Sequence, residues 1–349
     1  MNGIDYFNKL QKAFVIAEAG VNHNGDLKKA FEMIEAAVNA GVDAIKFQTF
    51  KAEKLVSGIA DMASYQKHNL GSDMSQLEMI RKLELSFDDF AELKAYCDRQ
   101  GIMFLSTPFD EVSADFLTEM VPMFKIGSGE ITNIPFLKHI AQKKKPIILS
   151  TGMSSLSDIE TALSAMHCEG ASDISLLHCT TNYPCPFNEV NLRAMLTIGQ
   201  AFKLPIGYSD HTLGIEVPVA AVAMGAKIVE KHFTLDRQLP GPDHKASLEP
   251  EELAAMVKSI RNVEAALGDG IKRPNPSEME TMIAARKSLV ASKDLEKDQL
   301  LRPEDICIKR PGSGLQPWLI DVIVGKKLRK CVRKDELFTW EHFMGDQDD

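Results

Sequence analysis

Residues 123–152 read MFKIGSGEITNIPFLKHIAQKKKPIILSTG, and this stretch decides the fold. It opens on a short apolar run, Met123–Ile126, and turns polar through Gly127-Ser128-Gly129-Glu130. Apolar residues then recur at helical spacing over Ile134–Gln142, and a second apolar run follows at Pro146–Leu149. Two short strands joined by a helix form a βαβ unit, the building block of a parallel sheet. The same rhythm repeats on both sides. Strands are predicted at Phe14–Ala17, Ala44–Phe47, Met103–Ser106, Ile174–Leu177, Pro205–Gly207 and Ile228–Glu230. Leu27–Ala40, Phe87–Gln100, Ser157–His167 and Glu216–Met224 read as helices. Pro250–Leu267 follows the last strand, with Glu251 and Glu252 at the positive end of its dipole. Eight strands, each followed by a helix, is the count of a closed (β/α)8 TIM barrel. The competing open, doubly wound sheet would carry G-x-G-x-x-G after its first strand. Here that turn reads Glu18-Ala19-Gly20-Val21-Asn22-His23-Asn24-Gly25, and there is no phosphate-binding G-x-x-x-x-G-K-[ST] loop.

A barrel of this kind takes roughly 250 residues, fewer than the 349 present. The expected organisation is a barrel over 1–270, a linker over 271–284 and a small β-rich domain over 285–349. Composition shifts to Gly, Pro and charge at 268–276 (GDGIKRPNP), and short β-like runs follow at Lys287–Ala291, Ile306–Lys309 and Lys326–Val332. Phe50–Met74 reads as a long irregular loop, a type that is usually functional. The net charge of −9, with no basic block, argues against nucleic acid as a partner. Val217–Ala226, the longest apolar stretch, is far short of the ~20 residues a membrane span needs. The polar start lacks a signal-peptide core, and six cysteines without C-x-x-C spacing read as reduced thiols, so a cytoplasmic location is expected.

The chemistry lies at the strand ends, where barrels of this kind carry their sites. Every predicted strand ends in polar or ionisable residues: Glu18; Lys46 and Gln48; Ser106 and Thr107; Lys125, Ser128 and Glu130; Ser150; His178; Ser209 and His211; Glu230 and His232. Lys46 and Lys125 lie inside apolar strands, where a cation requires a partner. That partner is an acid such as Glu18 or Glu130, or a bound anion such as phosphate or carboxylate, with the neighbouring hydroxyls assisting. His211 and His232 follow adjacent strands, and two imidazoles without cysteine beside them suit a catalytic divalent metal with open positions.

The ordered motifs Ile16–Gly25, Lys46–Thr49, Ser106–Phe109, Lys125–Glu130, Ser150–Met153, His178–Thr180, Ser209–His211, Glu230–Thr234, Gly241–Asp243 and Lys309–Gly312 resemble the bacterial N-acetylneuraminate (sialic acid) synthase family, including the legionaminic acid synthases. The resemblance implies a TIM barrel followed by an antifreeze-protein-like (SAF) domain, in a domain-swapped homodimer. It implies condensation of phosphoenolpyruvate with N-acetylmannosamine and water, giving sialic acid and phosphate. The alternative within the family is N,N′-diacetyllegionaminate synthesis from 2,4-diacetamido-2,4,6-trideoxymannose. It implies Mn2+, or another divalent cation such as Mg2+ or Co2+, on His211 and His232. Glu18, Glu130, Lys46 and Lys125 take the catalytic roles; Gln48, Thr107, Ser128, Ser150, Ser209, Thr181, Tyr183, Asp243 and Arg310 contact the substrates, Arg310 from the other subunit. One position departs: some members carry Asn two residues after the Cys of His-Cys-Thr, where this chain has Thr181 followed by Asn182. A non-catalytic carbohydrate-binding protein is the rival of a different class, and the complete set of strand-end residues argues against it.

Overall fold

The computed structural model describes residues 6–63 and 74–344. The chain divides into two compact units, Met1–Gly268 and Asp269–Asp349. The first is built on eight parallel strands: β1 (Phe14–Gly20), β2 (Ala44–Thr49), β3 (Met103–Pro108), β4 (Phe124–Ile126), β5 (Ile147–Ser150), β6 (Ile174–His178), β7 (Ile206–Asp210) and β8 (Ile228–His232). Their order is β3-β2-β1-β8-β7-β6-β5-β4, and its two ends, β3 and β4, lie side by side to close the barrel. Helices at Leu27–Ala40, Phe87–Gln100, Ile134–Gln142 and Pro250–Leu267 have the predicted bounds. Local chemistry explains two of them. Asp26 accepts from the amides of Lys28 and Lys29, and Gly41 ends that helix at φ 76°. A reciprocal Ser86–Asp89 capping box starts the next long helix, which Gly101 terminates.

Period-two alternation divides the barrel into layers. The outward face (Val15, Ala17, Ile45, Phe47, Phe104, Phe124, Leu149) packs under the helices as the main core. The inward face is apolar at its lower end, where Phe14, Ile16, Ala44, Leu105, Ile148 and Ile228 close over Phe7 of the N-terminal segment. Two residues further along the same inward rows, Ile16 gives way to Glu18, Ala44 to Lys46, Leu105 to Thr107, Ile148 to Ser150 and Ile228 to Glu230. The barrel therefore stands on a dry floor and carries a charged upper layer.

Most strands extend one to three residues beyond the prediction, because the hydrogen-bond ladder continues under inward polar side chains that an apolar-run reading takes for loop. Glu18, Gln48, Thr107, Ser150, Ser209 and His232 are thus strand residues, held by the ladder. The helix Arg193–Phe202 was not predicted; its cap position, Leu192, makes no side-chain capping bond, and Gly199 interrupts its pattern. Within the Phe50–Met74 segment, Ala52–Leu55 is helical, and 64–73 lie outside the described residues.

The second unit is built around β9 (Ser288–Ala291) and β10 (Ile306–Lys309), antiparallel, over a core that includes Leu289, Leu301, Leu328 and Phe338. Lys326–Val332, expected as a strand, makes only isolated bridges, Leu300 with Lys327 and Leu295 with Val332. Met279–Ala285, which covers the end of the expected linker and the first residue of the expected domain, is helical. No described helix is long and apolar enough to cross a membrane.

Candidate active site

The upper layer of the barrel encloses a cavity of about 140 Å³. Its wall includes Glu18, Lys46, Gln48, Thr107, Lys125, Ser128, Ser150, Thr181, Tyr183, Ser209, His211 and His232. Glu130, Asp243 and Arg310 are not in that wall. Glu130 accepts a hydrogen bond from Asn133 Nδ2 (2.7 Å), Asp243 is buried within electrostatic reach of Glu18, and Arg310 is an exposed residue of the second unit. Of the two residues in the departing motif, Thr181 lines the cavity and Asn182 does not.

Two buried lysines and two buried glutamates form the centre. Lys46 Nζ lies 2.6 Å from Glu18 Oε2 and donates to Thr107 Oγ1 (2.9 Å). Lys125 donates to Ser150 Oγ (2.8 Å) and lies 3.3 Å from Glu230 Oε1. Glu230 also approaches Lys46 (3.8 Å) and accepts from Ser209 Oγ (3.0 Å). The second acid beside the lysines is therefore Glu230, and Glu130 pairs with neither. The sequence names Glu230 at the end of its strand without giving it a role, although Glu230 and His232, two apart on one strand, must share a face. Phe109 and Cys179, which fall within the quoted motifs without a role, also line the cavity; Cys179 Sγ lies 3.1 Å from Ser128 Oγ.

The two glutamates are driven apart in proton affinity. Burial raises Glu18, and Glu230 adds to it, against the opposing effect of Lys46 and the bond from Gln48 Nε2. Glu230 ends below the usual carboxylate range: burial pushes it up, but Lys125, Lys46 and the Ser209 hydroxyl outweigh that. Such a split separates a proton-exchanging group from a permanently charged one. Burial also lowers Lys125, with Glu230 opposing. These are the conditions under which an added anion is held most strongly.

His211 and His232 face each other with ring centroids 5.5 Å apart, and Tyr183 packs against both, at 4.2 and 5.5 Å. Burial disfavours the charged form of both imidazoles, and the neighbouring His211 lowers His232 further. The bond between His211 Nδ1 and the Thr180 carbonyl (2.6 Å) puts the proton on Nδ1 and leaves Nε2 available. His232 Nδ1 is buried without a partner. Neutral rings with spare nitrogens fit a divalent cation. Among the described residues no group of three or more His, Cys, Asp or Glu is arranged around a metal, so substrate or water would complete the coordination.

A parallel barrel whose upper layer gathers two buried lysines, two carboxylates of divergent proton affinity and two facing imidazoles has the equipment of an enzyme site. Residues 33–272 match the NeuB family, and residues 286–344 match the SAF domain. The chain belongs to the NeuB family, the phosphoenolpyruvate-dependent synthases of nonulosonic acids. It is 50% identical over 331 residues to the N,N′-diacetyllegionaminic acid synthase of Campylobacter jejuni, covering 94% of this chain and 99% of that protein. It is 47% identical over 347 residues to the enzyme of the same name from Legionella pneumophila, covering 98% of each. A crystal structure of the N-acetylneuraminic acid synthetase of Leptospira borgpetersenii in complex with citrate superposes with a TM-score of 0.68 at 38% identity, over 78% of this chain and 90% of that one.

Proposed function

We propose that the protein condenses phosphoenolpyruvate with 2,4-diacetamido-2,4,6-trideoxymannose and water to give N,N′-diacetyllegionaminic acid and phosphate. The observation that carries this reading is the near-full-length likeness, at 50% and 47% identity, to two synthases of that acid, against 38% to the solved N-acetylneuraminic acid synthetase. The relatives thus reverse the order in which the sequence ranks the two sugars.

In this account Lys46 and Lys125 hold the phosphate and carboxylate of phosphoenolpyruvate, and Thr107, Ser128, Ser150, Thr181 and Ser209 supply hydroxyl hydrogen bonds. The methylene carbon of phosphoenolpyruvate bonds to the aldehyde carbon of the open-chain sugar. Water adds at the enol carbon, and the tetrahedral species loses phosphate by C–O cleavage. The fixed lysine charges stabilise the anionic groups throughout. Glu18, the carboxyl raised by burial, takes the proton of that water, while Glu230 stays charged and steadies the lysines. A divalent ion such as Mn2+, Mg2+ or Co2+ on His211 and His232 would supply Lewis acidity toward the aldehyde. Gln48, Tyr183, Glu130 and Asp243 belong to the sugar side, and Arg310 reaches the site from a partner subunit in a domain-swapped homodimer. The unpaired cysteines suit a reducing, cytoplasmic setting.

The test is phosphate release from phosphoenolpyruvate with Mn2+ and each sugar supplied singly. Turnover with the diacetamido sugar well above that with N-acetylmannosamine is expected; the reverse order would reinstate sialic acid synthesis.

A further inference from the structure

We infer that Asp210 and Lys231, a buried ion pair on the outer side of the barrel wall, position the two site imidazoles. The inference rests on the reading of His211 and His232 as metal ligands. By period-two alternation Ser209 and His211 face the cavity while Asp210 faces away, and Glu230 and His232 face it while Lys231 faces away. Asp210 and Lys231 are direct partners in the β7–β8 ladder. Their side chains are fully buried, 2.6 Å apart, behind the histidines rather than among the substrate groups.

The pair also grips the next residue. Asp210 accepts from the Thr212 amide (3.1 Å) and hydroxyl (3.0 Å), and Lys231 donates to the Thr212 carbonyl. His211 is thus fixed on both sides, by Asp210 and by Thr212, and His232 directly follows the lysine that completes the brace. Apolar residues of similar volume usually serve stability at least as well as a buried ion pair. Directional bonds to Thr212 are what an apolar pair cannot reproduce. Asp210 and Lys231 are therefore positioning residues, and the separation of the facing rings, 5.5 Å between centroids, is what they hold.

The test is Mn2+ binding followed by electron paramagnetic resonance, with phosphoenolpyruvate affinity measured separately by calorimetry without metal. Asp210→Leu/Lys231→Met removes both charges together, so neither is stranded. The double variant is expected to fold with a lowered melting temperature, because the buried Thr212 groups lose their partners, and to bind phosphoenolpyruvate normally. Its Mn2+ affinity should fall by about tenfold or more, the scale seen when groups behind metal ligands are removed, with an altered line shape for the bound ion. Thr212→Val weakens the brace without touching either charge and should shift Mn2+ affinity in the same direction; it decides the matter if the double variant does not fold. A folded variant with unchanged Mn2+ affinity and line shape would overturn the inference. Equal losses of Mn2+ and phosphoenolpyruvate affinity would make the pair merely structural and overturn it too. A wild-type protein that takes up no Mn2+ would instead overturn the metal reading, and the inference with it.

Discussion

Lys125 shows how much one residue reveals and how much it hides. A lysine in an apolar strand announces a partner, and the structure supplies Ser150 and Glu230. The identity of that acid was hidden, since Glu130 is near in sequence while Glu230 arrives from β8 through barrel closure. Lys125→Met should lose about 2–5 kcal/mol of phosphoenolpyruvate affinity while circular dichroism stays unchanged; calorimetry checks it, and unaltered affinity would count against an anion site. Asp243 makes a second test. Burial, with the charge of Glu18 adding to it, pushes its carboxyl up to about 7. An unfolded aspartate titrates near 3.9, so the folded state holds the proton more tightly. Below about pH 4 both states are protonated and nothing is lost. As pH rises toward 7 the unfolded chain releases its proton first and stability falls; above 7 the deficit is constant. Asp243→Asn should therefore gain on the wild type between pH 4 and 7, reaching about 4 kcal/mol at most. Urea titrations across that range measure it, and a difference independent of pH would refute the assignment.

At the scale of elements, the turn after β5 packs tightly behind cavity residues. A methyl group on Gly152 would collide with Thr181 Oγ1 and stand 2.8 Å from Ser128 Oγ and 3.0 Å from Cys179 Sγ. The Gly152 amide donates to Ser128 Oγ (3.0 Å), and Thr181 Oγ1 is buried without a partner, free for a ligand. Gly152→Ala should raise the phosphoenolpyruvate KM on the order of 10–100-fold, with the sugar KM nearly unchanged in steady-state kinetics. An equal rise in both would mean that the turn supports the whole barrel rather than the anion. Ser-Thr-Gly at a strand end was readable as a candidate anion turn, but the meeting of Gly152 with Thr181 was not, because it joins the loops after β5 and β6. Strand ends were misread for a related reason: hydropathy stops at the first polar residue, whereas the ladder runs on beneath Gln48, Ser209 and His232. Long capped helices such as Phe87–Gln100 were readable to the residue because their start and stop signals are local.

Across the whole molecule, eight repeats of one local pattern made the barrel readable, whereas the proposed exchange of domains would be a property of two chains and leaves no such local pattern. Arg310 is exposed directly after β10. Its loop is tied to the second unit, because Ser288 Oγ donates to the Pro311 carbonyl (2.7 Å) and accepts from the Gly314 amide (2.9 Å). If that unit serves the partner's barrel, mixing Arg310→Ala and His211→Ala chains, each nearly inactive alone, leaves one intact site per heterodimer and partly restores activity; no recovery after proven subunit exchange would reject the swapped arrangement. The central claim, the pairing of phosphoenolpyruvate with a diacetamido sugar, is tested most directly by competition. Limiting phosphoenolpyruvate is given to the enzyme with Mn2+ and equal amounts of 2,4-diacetamido-2,4,6-trideoxymannose and N-acetylmannosamine, and the products are resolved by mass. The account predicts N,N′-diacetyllegionaminic acid as the dominant product; a majority of N-acetylneuraminic acid would contradict it.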